Sequence, residues 1–273
     1  MEKPISPDSP DPRYGSCFDR LMAAFIFFTR LPLWRVYQPP RESYRAVVEF
    51  WPLTGWLTGG VMAATLYLSS LAMPYAVAVL LAIAVRLLLT GALHEDGLAD
   101  FFDGFGGGGT DRQRILDIMK DSHIGTYGVL GLTVYLAMLF AALYHLPPFL
   151  AALTIVAADP YAKMLASELI MMMPYARTEQ EAKNKTVYRR MSVPAAIGLA
   201  VQGLLPVGAY CYYLSAVVDW QMLIFIPCLT MYFLYLLIWR RLRGYTGDCC
   251  GAMFLLVELS VYLVACHYLV NSE

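Results

Sequence analysis

Seven apolar stretches, at roughly 47–70, 74–93, 125–145, 149–173, 194–217, 221–239 and 252–270, are each about long enough to cross a bilayer. In hydrocarbon every backbone N–H and C=O must find a partner within the chain, so such stretches span as helices. The expected fold is an all-α polytopic membrane protein, a bundle of about seven transmembrane helices. Of the 273 residues 59% are hydrophobic and 15% charged. A soluble domain would sit near 45–50% and 25%, so that class is excluded.

Residues 1–15 are polar and proline-rich and are expected to be a disordered tail, with 16–273 forming one membrane-embedded domain. The apolar run from Phe18 to Trp34 is short and broken by Arg20, Arg30 and Pro32, which suits an interfacial or re-entrant helix. Basic residues alternate between loops. Arg35, Arg41 and Arg45 precede the first span, Arg112, Arg114 and Lys120 follow the second, Arg177 to Arg190 follow the fourth, and Arg240 to Arg243 follow the sixth. The turns near Met73, His145 to Pro148 and Asp219 carry no Lys or Arg. By the positive-inside rule the N-terminus and the basic loops are cytoplasmic. Six scattered cysteines without a CxxC pair indicate neither a zinc site nor a disulfide framework.

Chemistry concentrates at 94–128. Asp96, Asp100 and Asp103 fall at i, i+4 and i+7, on one face of a helix, and Asp117 and Asp121 repeat the i, i+4 spacing. Gly106 to Gly109 should form a loop between the two helix ends, because glycine disfavours helix interiors. Crowded carboxylates repel unless a cation sits among them, and hard oxygen donors suit Mg²⁺, Mn²⁺ or Ca²⁺. The five aspartates are therefore candidate metal ligands and catalytic groups, one of them serving as a base. Lys120, Arg112 and Arg114 lie where they could contact phosphate. Asp248, ahead of the last span, could add an oxygen ligand or contact a ribose. A solvated acidic face and a helix cap are the competing readings of the acids and of Asp248. Within the spans, Glu49, Arg86, Asp159, Lys163, Glu168 and Glu258 are ionisable and should face the bundle interior. Asp159 and Lys163 are spaced to pair, and Arg86 could reach the acidic cluster or a lipid headgroup.

The segments HEDGLADFFDGFGG and ILDIMKDSHIGTYG, with FFTRLPLW, WPLTGWLTG, PYAR and GYTGDCCGA, resemble the cobalamin synthase (adenosylcobinamide-GDP ribazoletransferase) family over most of the chain. The resemblance implies joining of α-ribazole, or its 5′-phosphate, to adenosylcobinamide-GDP with release of GMP. It further implies Mg²⁺ as cofactor and a bacterial or archaeal cytoplasmic (inner) membrane as the location. On the matching motifs, His94, Arg112, Lys120, Ser122, His123 and Asp248 are expected to bind substrate, and Asp96, Asp100, Asp103, Asp117 and Asp121 to hold metal. Asp100→Asn or Asp103→Asn should then abolish product while the protein still inserts. No nucleic-acid partner is expected. Asp100-x-x-Asp103-Gly104 with Asp117-x-x-x-Asp121 also looks like a degenerate CDP-alcohol phosphotransferase signature, which makes a phospholipid synthase the nearest alternative. A solute transporter, suggested by Asp159, Lys163 and Glu168, is the more distant one.

Overall fold

The computed structural model describes residues 15–177 and 187–270. The expected tail falls almost wholly outside these residues, as do Lys183 and Lys185 of the third basic loop. Ten α-helices make up the described chain: α1 (Cys17–Phe28), α2 (Trp51–Ser70), α3 (Tyr75–Thr90), α4 (Leu93–Gly107), α5 (Arg112–Lys120), α6 (Thr126–Tyr144), α7 (Pro148–Met172), α8 (Val193–Tyr213), α9 (Trp220–Leu242) and α10 (Gly247–Val270). Two 3-10 segments, Leu33–Arg35 and Arg41–Phe50, lead into α2.

Length and apolarity let α6, α7, α8, α9 and α10 each cross a membrane, and α3 with α4 adds a sixth crossing if that bent pair counts as one. The chain is thus a multi-pass membrane protein. Helix α2 has the length, at 20 residues, but its threonines, glycines and serines dilute the apolar content. The 12-residue α1 is too short to span, as its punctuated sequence suggests, and Ser16 with Asp19 closes a capping box at its start.

Burial sorts the spans into two shells. Within the 18-residue apolar stretch of each helix, 72% of α7 and 78% of α10 is buried, against 28%, 22% and 17% of α6, α8 and α9. So α7 and α10 form the centre, flanked by α2 and α4, and the other spans turn a face outward. On α8 the exposed Val193, Ile197, Val201, Leu204 and Leu205 recur at helical spacing, a stripe fit for lipid.

The buried centre holds paired charges. Arg86 Nη1 donates to both oxygens of Glu258 at 2.7 Å, and its Nη2 donates to Tyr135 at 3.0 Å. Glu95 lies 3.7 Å from the same guanidinium. Arg86 therefore reaches the acidic stretch at Glu95 but, being buried, no headgroup, and it ties α3 to α10. The i, i+4 pair of Asp159 and Lys163 closes at 2.6 Å on α7, and Thr58 accepts a further bond from Lys163 at 2.7 Å. Glu49 is clamped by Arg20 and Arg189. These charges face opposite partners, as a low-dielectric interior demands, while Glu168 is half-buried on α7.

Two local features depart from the expectation. The 74–93 stretch breaks at Gly91 and Ala92, whose positive φ values of 66° and 54° turn α4 by 91° from α3. Glycine takes that backbone without strain, whereas Ala92 needs its surroundings to hold it there. And Gly106 and Gly107 are helical, so the loop after α4 is shorter than the glycine run implies. A Cβ on Gly106 would run into the Tyr127 ring, so close packing against α6 offsets the glycine penalty of about 1 kcal/mol.

Candidate active site

The site begins at the bend. Turning α4 at Gly91 carries its first two turns, His94 to Asp100, onto the start of α10. The helices meet through glycines: a Cβ at Gly97 would sit 3.1 Å from Asp248 Cα, and one at Gly251 3.3 Å from the His94 carbonyl oxygen. Larger residues at either position would push the helices apart. Because Asp96 precedes Gly97 and Gly97 lies on Asp248, the contact brings these two carboxylates to one cavity of about 160 Å³.

Asp96 is exposed, while Asp248 and Arg177 are half-buried beside it. Asp248 lies in the first turn of α10, where the helix dipole favours a negative charge. Arg177 is steadied by the bond it donates to the Leu116 carbonyl at 2.6 Å. Tyr175 and Tyr188 complete the wall. Burial pushes the Tyr175 phenol up to about 12, so it stays neutral. A short parallel bridge between Tyr175 and Tyr245 ties the end of α7 to the start of α10 and holds this wall in place.

A second hollow of about 290 Å³ shares Tyr175 and Arg177 with the first and is lined also by Arg112, Asp117 and Lys120. Lys120 is exposed there. Arg112 is a latch: it donates to the carbonyls of Leu242 and Ala176, at 2.7 and 2.5 Å, and so pins α5 to α9 and to the 174–177 strap. Arg241 likewise donates to the Gly109 carbonyl. The basic loops thus meet at one end of the bundle, where both hollows open.

The aspartates separate by role. Asp103 is buried, and its two oxygens accept the backbone N–H groups of Gly125 at 2.7 Å and Gly128 at 2.8 Å, which caps α6. Asp117 accepts from Gln113 at 2.9 Å. Asp121 accepts from His123, whose ring and backbone hydrogen bonds hold its carboxyl below the usual carboxylate range. Ser122 and His123 lie on the exposed 121–125 loop. Asp100 is half-buried one turn along from Asp96. Among the described residues no three Asp, Glu, His or Cys side chains gather closely enough to hold one ion. The five-aspartate cage read from spacing is not assembled, because a helical face says nothing about which carboxylates the backbone of a neighbouring helix will claim. Asp96 and Asp248, which line one cavity, offer the hard oxygen donors that Mg²⁺ takes. That ion commonly takes one or two carboxylates and completes its shell with water and substrate phosphates.

Asp103→Ala is expected to lower stability by about 2 kcal/mol through the lost cap, visible as a lower thermal midpoint of the purified protein. An unchanged midpoint would argue against the capping role. Trp51, Tyr175, Arg177 and Tyr188 line the cavity, and of these only Arg177 is singled out by its chemistry in the sequence, as part of a cationic loop. The first three sit inside WPLTGWLTG and PYAR, so the motifs flagged them without saying why.

These features define a multi-pass helical membrane protein with a polar cavity, edged by acids and by basic loops, at one end of its bundle. The chain belongs to the cobalamin-5-phosphate synthase family, whose model matches residues 20–266. It is 38% identical over 251 residues to an adenosylcobinamide-GDP ribazoletransferase of Leptothrix cholodnii, covering 88% of this chain and 92% of that one. A protein of the same name from Vibrio parahaemolyticus is 36% identical over 89% of each chain. One from Leptospira interrogans is 30% identical over 90% of this chain and 94% of the relative. No solved structure matches the chain.

Proposed function

We propose that this protein joins α-ribazole, or its 5′-phosphate, to adenosylcobinamide-GDP and releases GMP, the step that completes the nucleotide loop of cobalamin. The reading rests on family membership and on one observation: Asp96 and Asp248 share a cavity with Arg177 where the basic loops meet. A ribose hydroxyl oxygen forms a new bond to the cobinamide-side phosphorus, the bridging P–O bond breaks, and GMP carries away the electron pair. The hydroxyl proton passes to a carboxylate, for which Asp96, exposed at the cavity edge, is placed. Arg177 and, from the adjoining hollow, Lys120 are placed to hold phosphate oxygens. Mg²⁺, held by Asp96 and Asp248 and completed by the diphosphate, would neutralise charge on the bridging and leaving oxygens. By the positive-inside rule this face of the bundle is cytoplasmic, and family membership suggests the inner membrane as the location.

Purified protein with adenosylcobinamide-GDP and α-ribazole is expected to release GMP in the presence of Mg²⁺ and to stop when it is chelated. Labelled CDP-diacylglycerol should yield no CMP. CMP release without GMP release would overturn the assignment in favour of a phospholipid synthase.

A further inference from the structure

The proposed chemistry uses only the polar half of the cavity. Its buried half is aromatic. Phe28 and Trp51 stack with ring centroids 5.2 Å apart and planes 10° from parallel. His94 lies 5.6 Å from Trp51 and 6.0 Å from Phe28. Phe27 and Tyr188 also line the cavity, edge to face with one another. Within this box two buried ring nitrogens, Trp51 Nε1 and His94 Nε2, have no hydrogen-bond partner among the described residues. An indole N–H can only donate, and a buried donor left unpaired is costly enough that native structures seldom keep one without a reason.

Resting on the transfer reaction above, we propose that this aromatic half takes the base of the ribazole nucleoside, with Trp51 Nε1–H donating to the base's free ring nitrogen. A benzimidazole bound to its sugar through one nitrogen presents one in-plane acceptor, the other nitrogen, and an otherwise apolar edge. That pattern matches an aromatic wall that offers the unpaired Trp51 N–H. Guanine, the other heterocycle in the reaction, carries N–H donors and three acceptors (O6, N7 and N3) along its edges, which Phe27, Phe28 and Val48 cannot satisfy. A base seated among these rings leaves its ribose to extend toward Asp96 and Asp248, where the hydroxyl is needed. Trp51 and Phe28 then set which bases are accepted.

The test is a calorimetric titration of the full chain in nanodiscs with Mg²⁺, using α-ribazole and an analogue whose acceptor nitrogen is replaced by CH. Wild type is expected to bind the analogue about fivefold more weakly, the worth of one hydrogen bond. Trp51→Phe keeps the stack on Phe28; it should bind α-ribazole about fivefold more weakly and no longer distinguish the two ligands. GMP should not compete with either. Equal binding of both ligands by wild type, retained discrimination in Trp51→Phe, or competition by GMP each overturns the proposal. If the variant does not fold, the wild-type comparison still decides. GMP release measured in parallel separates the two ideas: turnover without discrimination sinks only the base subsite, and discrimination without turnover sinks only the transfer reaction.

Discussion

Asp96→Asn is expected to lower GMP release by about 10²–10³-fold, with insertion and thermal stability unchanged. The side chain is exposed at the edge of the α4–α10 cavity, so its replacement leaves no buried group unpaired. The amide cannot accept the hydroxyl proton and is a poor Mg²⁺ ligand. Asp248→Asn should weaken the same step and raise the Mg²⁺ concentration needed for half-maximal rate. Wild-type turnover in Asp96→Asn would remove the proposed centre altogether. The contrast with Asp103 is the useful control: its substitution should appear as lost stability, and any lost activity should follow from that.

The largest stability effect is expected at Arg86. Arg86→Ala would leave Glu258 and Glu95 buried, at 0% and 4% exposure, without the cation between them. Breaking a buried pair from one side typically costs about 3–5 kcal/mol. Arg86→Lys should recover only part of this, because an ammonium cannot fork to both Glu258 oxygens and to Tyr135. The double variant Arg86→Met with Glu258→Leu should be less damaged than Arg86→Ala, since it removes the charge along with its partner. Thermal unfolding in one detergent measures all three. If the double variant is as unstable as the single, the guanidinium is not acting as the counter-charge.

Much of the membrane architecture was legible because hydropathy is a local property. Apolar runs of the right length became helices, the short N-terminal run stayed short, and Asp159 with Lys163 paired as their spacing suggested. The bend at Gly91 and Ala92 was not legible, since an apolar run that continues through a break looks like one span. Nor was the helical state of Gly106, which depends on Tyr127 arriving from α6.

The site divides along the same line. The sequence alone determined that the chain spans a membrane as helices, that its basic loops fall together on one side, and that acids crowd beside them. These follow from composition and period, quantities a short window carries. Only the tertiary structure decided which acids meet. Asp103 went to the backbone of α6, Asp117 and Asp121 to their own neighbours, and Asp96 was brought to Asp248 from about 150 residues away, across a contact that glycines keep close. A carboxylate's role is set by the donors that reach it in space, and no pattern of spacing along one helix contains them.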